Sequence, residues 1–128
     1  MELEVGQVWS INGLPSESEL IIGKIESLGQ ISVASVTVTN VPVPHQSQQA
    51  HGGRKKITFS HFPFSEQALK KSLGSLLRTD GTVDDEFWEG YSYWKKAMEE
   101  GDAGAFDVSV AEAVGLSFET TANGSIAK

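Results

Sequence analysis

Residues 84–106 read DDEFWEGYSYWKKAMEEGDAGAF, and five aromatic residues fall within eight positions: Phe87, Trp88, Tyr91, Tyr93 and Trp94. At about 100° per residue, Phe87, Tyr91, Trp94 and Met98 lie along one stripe, with Glu89, Ser92 and Lys96 on the opposite face. That spacing predicts an amphipathic helix whose stripe is packing surface. Gly90 and Ala97 flank the stripe, and residues this small let another element approach closely. Thr82 or Asp84 can cap the helix, its acidic first turn suits the positive end of the dipole, and Gly101 is placed to stop it. Trp88 and Tyr93 fall on the two flanks of the stripe. Exposed rings beside an acid such as Glu89 can anchor a protein partner, so these three residues are candidate binding residues.

Upstream of this helix the pattern is β. Residues 5–11 alternate apolar and polar, and Asn12, Gly13 and Pro15 follow as a turn. Residues 20–28 predict a second strand, bulged or closely approached at Gly23. Residues 31–41 hold Ile31, Val33, Val36, Val38 and Val41, the strongest β signal in the chain. Their parity slips between Val33 and Val36, which predicts a bulge at Ala34 and Ser35. Residues 42–53 have the composition of an exposed loop and are the best candidate for disorder. A fourth strand over 54–59 leads through His61 and Pro63 to Ser65, a natural N-cap. The helix that follows takes Leu69, Leu73, Leu76 and Leu77 as its apolar stripe. After the aromatic helix, residues 103–107 suggest a short extended piece, and Ser109 to Glu112 suggest a capping box opening a brief helix to about Val114.

Strands first and helices later predict an α+β fold. The expected architecture is an antiparallel meander of about four strands, open or partly closed into a barrel, covered on one face by two or three C-terminal helices. One domain over residues 1–119 is expected, with 120–128 a small, polar, flexible tail.

Composition narrows the chemistry. The chain of 128 residues is 39% hydrophobic, has no apolar run long enough to cross a bilayer and shows no signal-peptide pattern, so a cytoplasmic protein without a membrane partner is expected. It contains no cysteine, which removes disulfides, thiolate nucleophiles and Cys-based metal sites. The net charge of −7 is uneven: residues 54–78 carry six bases against one acid, residues 79–119 eleven acids against two lysines. An acidic whole repels phosphate backbones, so nucleic acid is not an expected partner. His45 and His51 sit in the loop, on no regular element that would fix ligand geometry, so no metal site is assigned. No nucleophile elbow, Walker loop, dinucleotide fingerprint or EF-hand spacing is present. No catalytic residue and no cofactor are therefore assigned. His61, between a strand and a helix N-terminus, joins the candidate binding residues, because functional side chains are often presented at such junctions.

Several short blocks occur together: Gly6-Gln7-Val8-Trp9, Ile22-Gly23-Lys24-Ile25-Glu26, His61-Phe62-Pro63-Phe64-Ser65, Ala68 to Ser72, Gly90-Tyr91-Ser92-Tyr93-Trp94 and Gly101 to Phe106. In these blocks and their spacing, over roughly residues 5–114, the chain resembles an uncharacterised family of small soluble bacterial proteins. That resemblance implies no activity, substrate or cofactor. The opening block also resembles small toxin barrels of the endoribonuclease type, whose later motifs are missing here.

The function expected from the sequence is a small non-catalytic module with a protein partner, in the manner of an immunity or antitoxin inhibitor. Its binding residues would come from His61, Trp88, Glu89 and Tyr93. The alternative is a small-molecule-binding protein or small enzyme with a pocket between sheet and helices near His61, using Glu89 and Tyr91. A third expectation is a homodimer through the Val-rich edge of the 31–41 strand.

Overall fold

The β-branched runs pair into one open antiparallel sheet. The computed structural model describes residues 2–123. Its strands are β1 (Val8–Ile11), β2 (Glu19–Leu28), β3 (Ile31–Pro42), β4 (Lys56–Ser65) and β5 (Leu73–Arg78), in the order β4-β3-β2-β1-β5. The helices are α1 (Glu66–Ser72), α2 (Asp85–Glu99) and α3 (Val110–Asn123). The α+β class holds, with a fifth strand and no barrel closure.

That fifth strand corrects the reading of residues 73–78. Leu73, Leu76 and Leu77 continue the spacing of Leu69, yet α1 ends at Ser72 and Leu73 turns extended at φ −83° and ψ 137°. Gly74 weakens any continuing helix, and β1 offers a strand edge that pairs Trp9 with Leu76 and Ile11 with Leu73. The strand that opened the meander thus becomes an inner one, and β5 takes the edge. The strand 31–41, whose edge suggested dimerisation from the sequence, is β3, paired on both sides, and has no edge to offer.

Register decides which side chains share a face. Ile22 pairs with Val36, and Lys24 with Ser35, so the extra residue is Gly23 and the bulge lies in β2. The bulge expected at Ala34 and Ser35 is absent from β3. The parity slip there has another cause: Val33, Ala34, Ser35, Val36, Thr37 and Val38 are all buried, because both faces of β3 are covered. On one face Ala34, Val36 and Val38 join Trp9, Leu20, Phe62 and Phe64, covered by Leu69 of α1 and by Val110, Ala113, Val114 and Phe118 of α3. On the other face lie Gly23, Ser35 and His61, and α2 covers them through Phe87 and Gly90. The sequence reading put the helices together on one face. The register gives α1 and α3 to one face and α2 to the other.

Two segments differ further from expectation. Residues 42–53 are no open loop, since Val43 and Ser47 are buried and the backbone winds through two 3-10 turns, His45–Ser47 and Gln49–His51. Val43 extends the apolar face of β3 into the core, and that anchors the turns. The last helix runs to Asn123 rather than stopping near Val114, because Phe118 is a core residue. Of the tail expected at 120–128, residues 120–123 continue α3 and 124–128 lie outside the described residues. Between α2 and α3 the chain crosses the edge of β4. Phe106 N–H donates to Pro63 O and Ser65 N–H to Phe106 O, at 2.9 and 2.8 Å, forming a single parallel bridge to Phe64. The extended piece expected at 103–107 is this bridge. No helix among the described residues is long and apolar enough to cross a membrane.

Candidate functional site

His61 is presented by a second bulge. Val36 pairs with Phe62 and Val38 with Phe59, so β4 spends one extra residue opposite Thr37. Phe59 and Phe62 consequently stack on the same face at 4.7 Å, and His61 is turned to the other. There its ring sits among Phe87, Tyr91 and Trp94, with centroids 5.5, 5.8 and 5.5 Å away. Its Nε2 is hydrogen-bonded to the fully buried Ser35 hydroxyl at 3.0 Å. A Cβ built on Gly90 would stand 2.9 Å from His61 Cβ, so glycine is what lets α2 lie this close. Gly23 does the same for Phe87, whose Cζ would be 2.6 Å from an added Cβ. Burial pushes the imidazole down to about 4, against a smaller opposing pull from Glu26. The ring is neutral at pH 7, packed against three aromatic rings with part of it still reaching solvent.

Of the polar end of this seam, the sequence reading named Tyr91 beside His61 but neither Glu26 nor Lys95. Tyr91 donates its hydroxyl to both carboxylate oxygens of Glu26, at 2.9 and 2.8 Å, and Lys95 Nζ lies 3.0 Å from Glu26 Oε1. Lys24 and Lys95 stand over the Tyr91 ring at 5.8 and 5.9 Å. Burial pushes the Glu26 carboxyl up, but the hydrogen bonds from Lys95 and Tyr91 and the two lysine charges outweigh it, and the carboxyl lies below its ordinary range. Burial and the bond to Glu26 raise the Tyr91 phenol. The available signal was spacing: Lys24 and Glu26 are two apart on a strand, Tyr91 and Lys95 four apart on a helix. At the other end Trp94 Nε1 donates to Gly104 O at 2.9 Å. All titratable side chains of the seam are thus partnered or packed, an arrangement that clamps α2 to the sheet.

The remaining candidates lie on the opposite side of α2. Trp88 is 42% and Tyr93 76% exposed, and with Asp85, Glu89, Ser92 and Lys96 they line one shallow, open surface along the helix. These positions recur at spacings of three and four, so they form a single outward stripe. Trp88 is held edge-on to Phe87 and Tyr91, at 4.8 and 5.7 Å, which fixes its indole on the surface. Three of the four candidate residues, Trp88, Glu89 and Tyr93, therefore come together. His61 does not join them, since α2 lies between.

The other histidines stay apart. His51 packs edge-on against Phe118 at 5.5 Å and His45 is exposed. Among the described residues no group of three or more His, Asp or Glu side chains is placed to hold a metal ion. The motif blocks have structural roles that geometry accounts for: Gln7 Oε1 accepts from Trp9 Nε1 at 3.0 Å, and Gly6 at φ +97° receives the Gly81 N–H at 2.8 Å. No protein-family model, curated protein or solved structure matches the chain, so the resemblance rests on its motif blocks alone.

Proposed function

We propose that the protein is a small binding module that uses the outward stripe of α2 to hold a basic protein, in the manner of an immunity or antitoxin inhibitor. The observation that carries this reading is the pairing of exposed Trp88 and Tyr93 on one stripe with Asp85 and Glu89 between and beside them. Large amphipathic rings are the side chains that most often dominate binding energy, and charged neighbours set partner choice and encounter rate. The eleven acids against two lysines in residues 79–119 place the stripe within the most negative part of the chain, which favours a positively charged partner. No catalytic role is assigned to any side chain. A ligand site or small enzyme centre beside His61 is the weaker reading, because the rings of Phe87, Tyr91 and Trp94 occupy the space such a pocket needs.

The test is capture of basic proteins from the source cell by the immobilised chain at low salt. A specifically retained protein should be lost when Trp88→Ala and Tyr93→Ala are combined, and its association rate should fall about tenfold or more between roughly 20 and 300 mM salt. Equal retention by the chain and the double variant would refute the stripe as the binding face. An absence of any retained protein at low salt would count against the module reading itself.

A further inference from the structure

In the seam beneath α2 a ring, an acid and a cation come together. Tyr91 donates to Glu26, Lys95 Nζ lies 3.0 Å from the same carboxylate, and Lys24 and Lys95 stand 5.8 and 5.9 Å from the Tyr91 ring centroid. The outward stripe of the same helix has rings and acids without the cation. Glu89 and Tyr93 are four residues apart, and Asp85 and Trp88 three, so each carboxylate stands about one turn before an exposed ring. Among the described residues no lysine or arginine lies within ion-pair distance of Asp85 or Glu89, and none stands over Trp88 or Tyr93. Elsewhere Glu17 pairs with Lys56 and Glu19 with Arg78, each at 2.8 Å. Asp85 and Glu89 are also four apart, a like-charge spacing that mildly opposes the helix. The helix dipole accounts for an acid in the first turn, as at Asp85, but not for Glu89 in the second.

We infer that Tyr93 with Glu89, and Trp88 with Asp85, are seats for arginine side chains of the basic partner, in preference to lysine; this rests on the stripe being the binding face. A guanidinium is planar and weakly hydrated. It lies flat on a ring while the N–H groups at its edge donate to a carboxylate beside that ring. An ammonium is a compact point charge that keeps its water at an exposed surface and has no flat face to stack. The lysines of the seam are tethered to their partners: Lys95 follows Tyr91 by one turn of α2, and Lys24 is two residues from Glu26 on β2. An incoming side chain has no such tether, so its own chemistry decides how well it is held. Trp88 is the better prepared of the two rings, since Phe87 and Tyr91 hold its indole edge-on at 4.8 and 5.7 Å. Lys96 bounds the seats. It stands one turn beyond Tyr93 and two turns from Glu89, with which it makes no ion pair, so its charge keeps a guanidinium on the Glu89 side of the Tyr93 ring.

Two short synthetic peptides test the preference, an alanine peptide carrying a pair of arginines and its counterpart carrying a pair of lysines. Each is titrated into the isotope-labelled chain at about 20 mM salt, where surface charges are least screened. The Trp88 indole N–H and the Glu89 and Tyr93 amides are followed by NMR. The expected outcome is saturable shifts at those positions with the arginine peptide, and binding of the lysine peptide weaker by about threefold or more. Tyr93→Ala should remove most of that preference, while Glu89→Gln should weaken both peptides. Tyr93 is 76% exposed, and an unchanged unfolding midpoint verifies that the variant still folds. Should the midpoint fall, Tyr93→Leu keeps the bulk without the ring and is expected to lose the preference equally. Equal affinity for the two peptides, with shifts on the stripe, would overturn the arginine preference and leave the binding face standing. Shifts confined to other parts of the chain, or no saturable shift with either peptide, would overturn the seats. The binding face itself fails on a different result, equal retention of a captured partner by the chain and the Trp88→Ala, Tyr93→Ala double variant.

Discussion

His61 shows how far a single residue can be read before structure is known. Its place at a strand–helix junction is legible in the sequence, because Pro63 keeps the chain extended and Ser65 caps α1 with its Oγ accepting from Ala68 N–H at 3.2 Å. Its burial is not legible, because that depends on a bulge in β4 and on the distant Gly90 bringing α2 over the ring. The consequence is a pH dependence. The native imidazole is lowered to about 4 while the unfolded one keeps its ordinary value of 6.5, so between those values the unfolded chain binds the extra proton. Stability therefore rises with pH across this window and is lost as pH falls from about 6.5 towards 4. Groups that face the ring include Glu26, which opposes the shift, with Lys24, Tyr91 and Lys95 around it. Part of the ring remains in contact with solvent, so the loss is about 1–2 kcal/mol rather than the full linkage value. His61→Gln should flatten the difference in urea midpoint between pH 7 and pH 5. A variant that retains the whole slope would assign it to other groups.

At the scale of elements, α2 separates two tryptophans by burial, Trp94 inward and Trp88 outward. Its wheel was readable: the stripe of Phe87, Tyr91 and Trp94 faces the sheet, as the spacing predicts, with Asp84 as the N-cap accepting from Phe87 N–H at 3.1 Å. Four strands were readable for the same reason, since β-branched runs announce themselves. The fifth was not, because Leu73, Leu76 and Leu77 fit a helix as well as a strand and only the vacant edge of β1 decides between them. Trp88 and Tyr93 were placed correctly off the stripe, whereas their meeting on one surface required the helix to be seen docked. From this follows a contrast. Trp94 is 9% exposed and bonded through its indole to Gly104 O, so Trp94→Ala should cost about 3–5 kcal/mol. Trp88→Ala together with Tyr93→Ala should change stability by no more than about 1 kcal/mol, the range of ordinary surface substitutions. Denaturant midpoints of the two variants, measured side by side, check both halves. Equal losses would mean that the outward rings are part of the core.

For the molecule as a whole, the sheet is covered from both sides, and the side closed by α3 depends on the last turns of the chain. Sequence pattern underestimates this helix, because Gly115, Ser117 and the small residues beyond Glu119 look like the start of a frayed tail. Yet Val110, Ala113, Val114 and Phe118 are buried in the main core, and Phe118 meets both Phe59 and His51 edge-on. Three of those side chains, the two valines and the phenylalanine, contribute about 1.5–3 kcal/mol each, or roughly 5–9 kcal/mol together. A domain of this size has a total stability of about 5–15 kcal/mol, so losing α3 removes roughly a third of it at the least. A chain ending at Asp107 keeps the crossing at Phe106 and every strand, yet leaves only α1 over the face that α1 and α3 share. It should retain β-type far-UV circular dichroism at most in part, lose its near-UV aromatic signal, bind a hydrophobic dye and unfold without a cooperative transition. α2 would stay covalently present, so the outcome isolates the contribution of the other face. A sharp, two-state melt from the shortened chain would mean that the α2 seam alone holds the sheet, and that α3 is an appendage rather than half of the core.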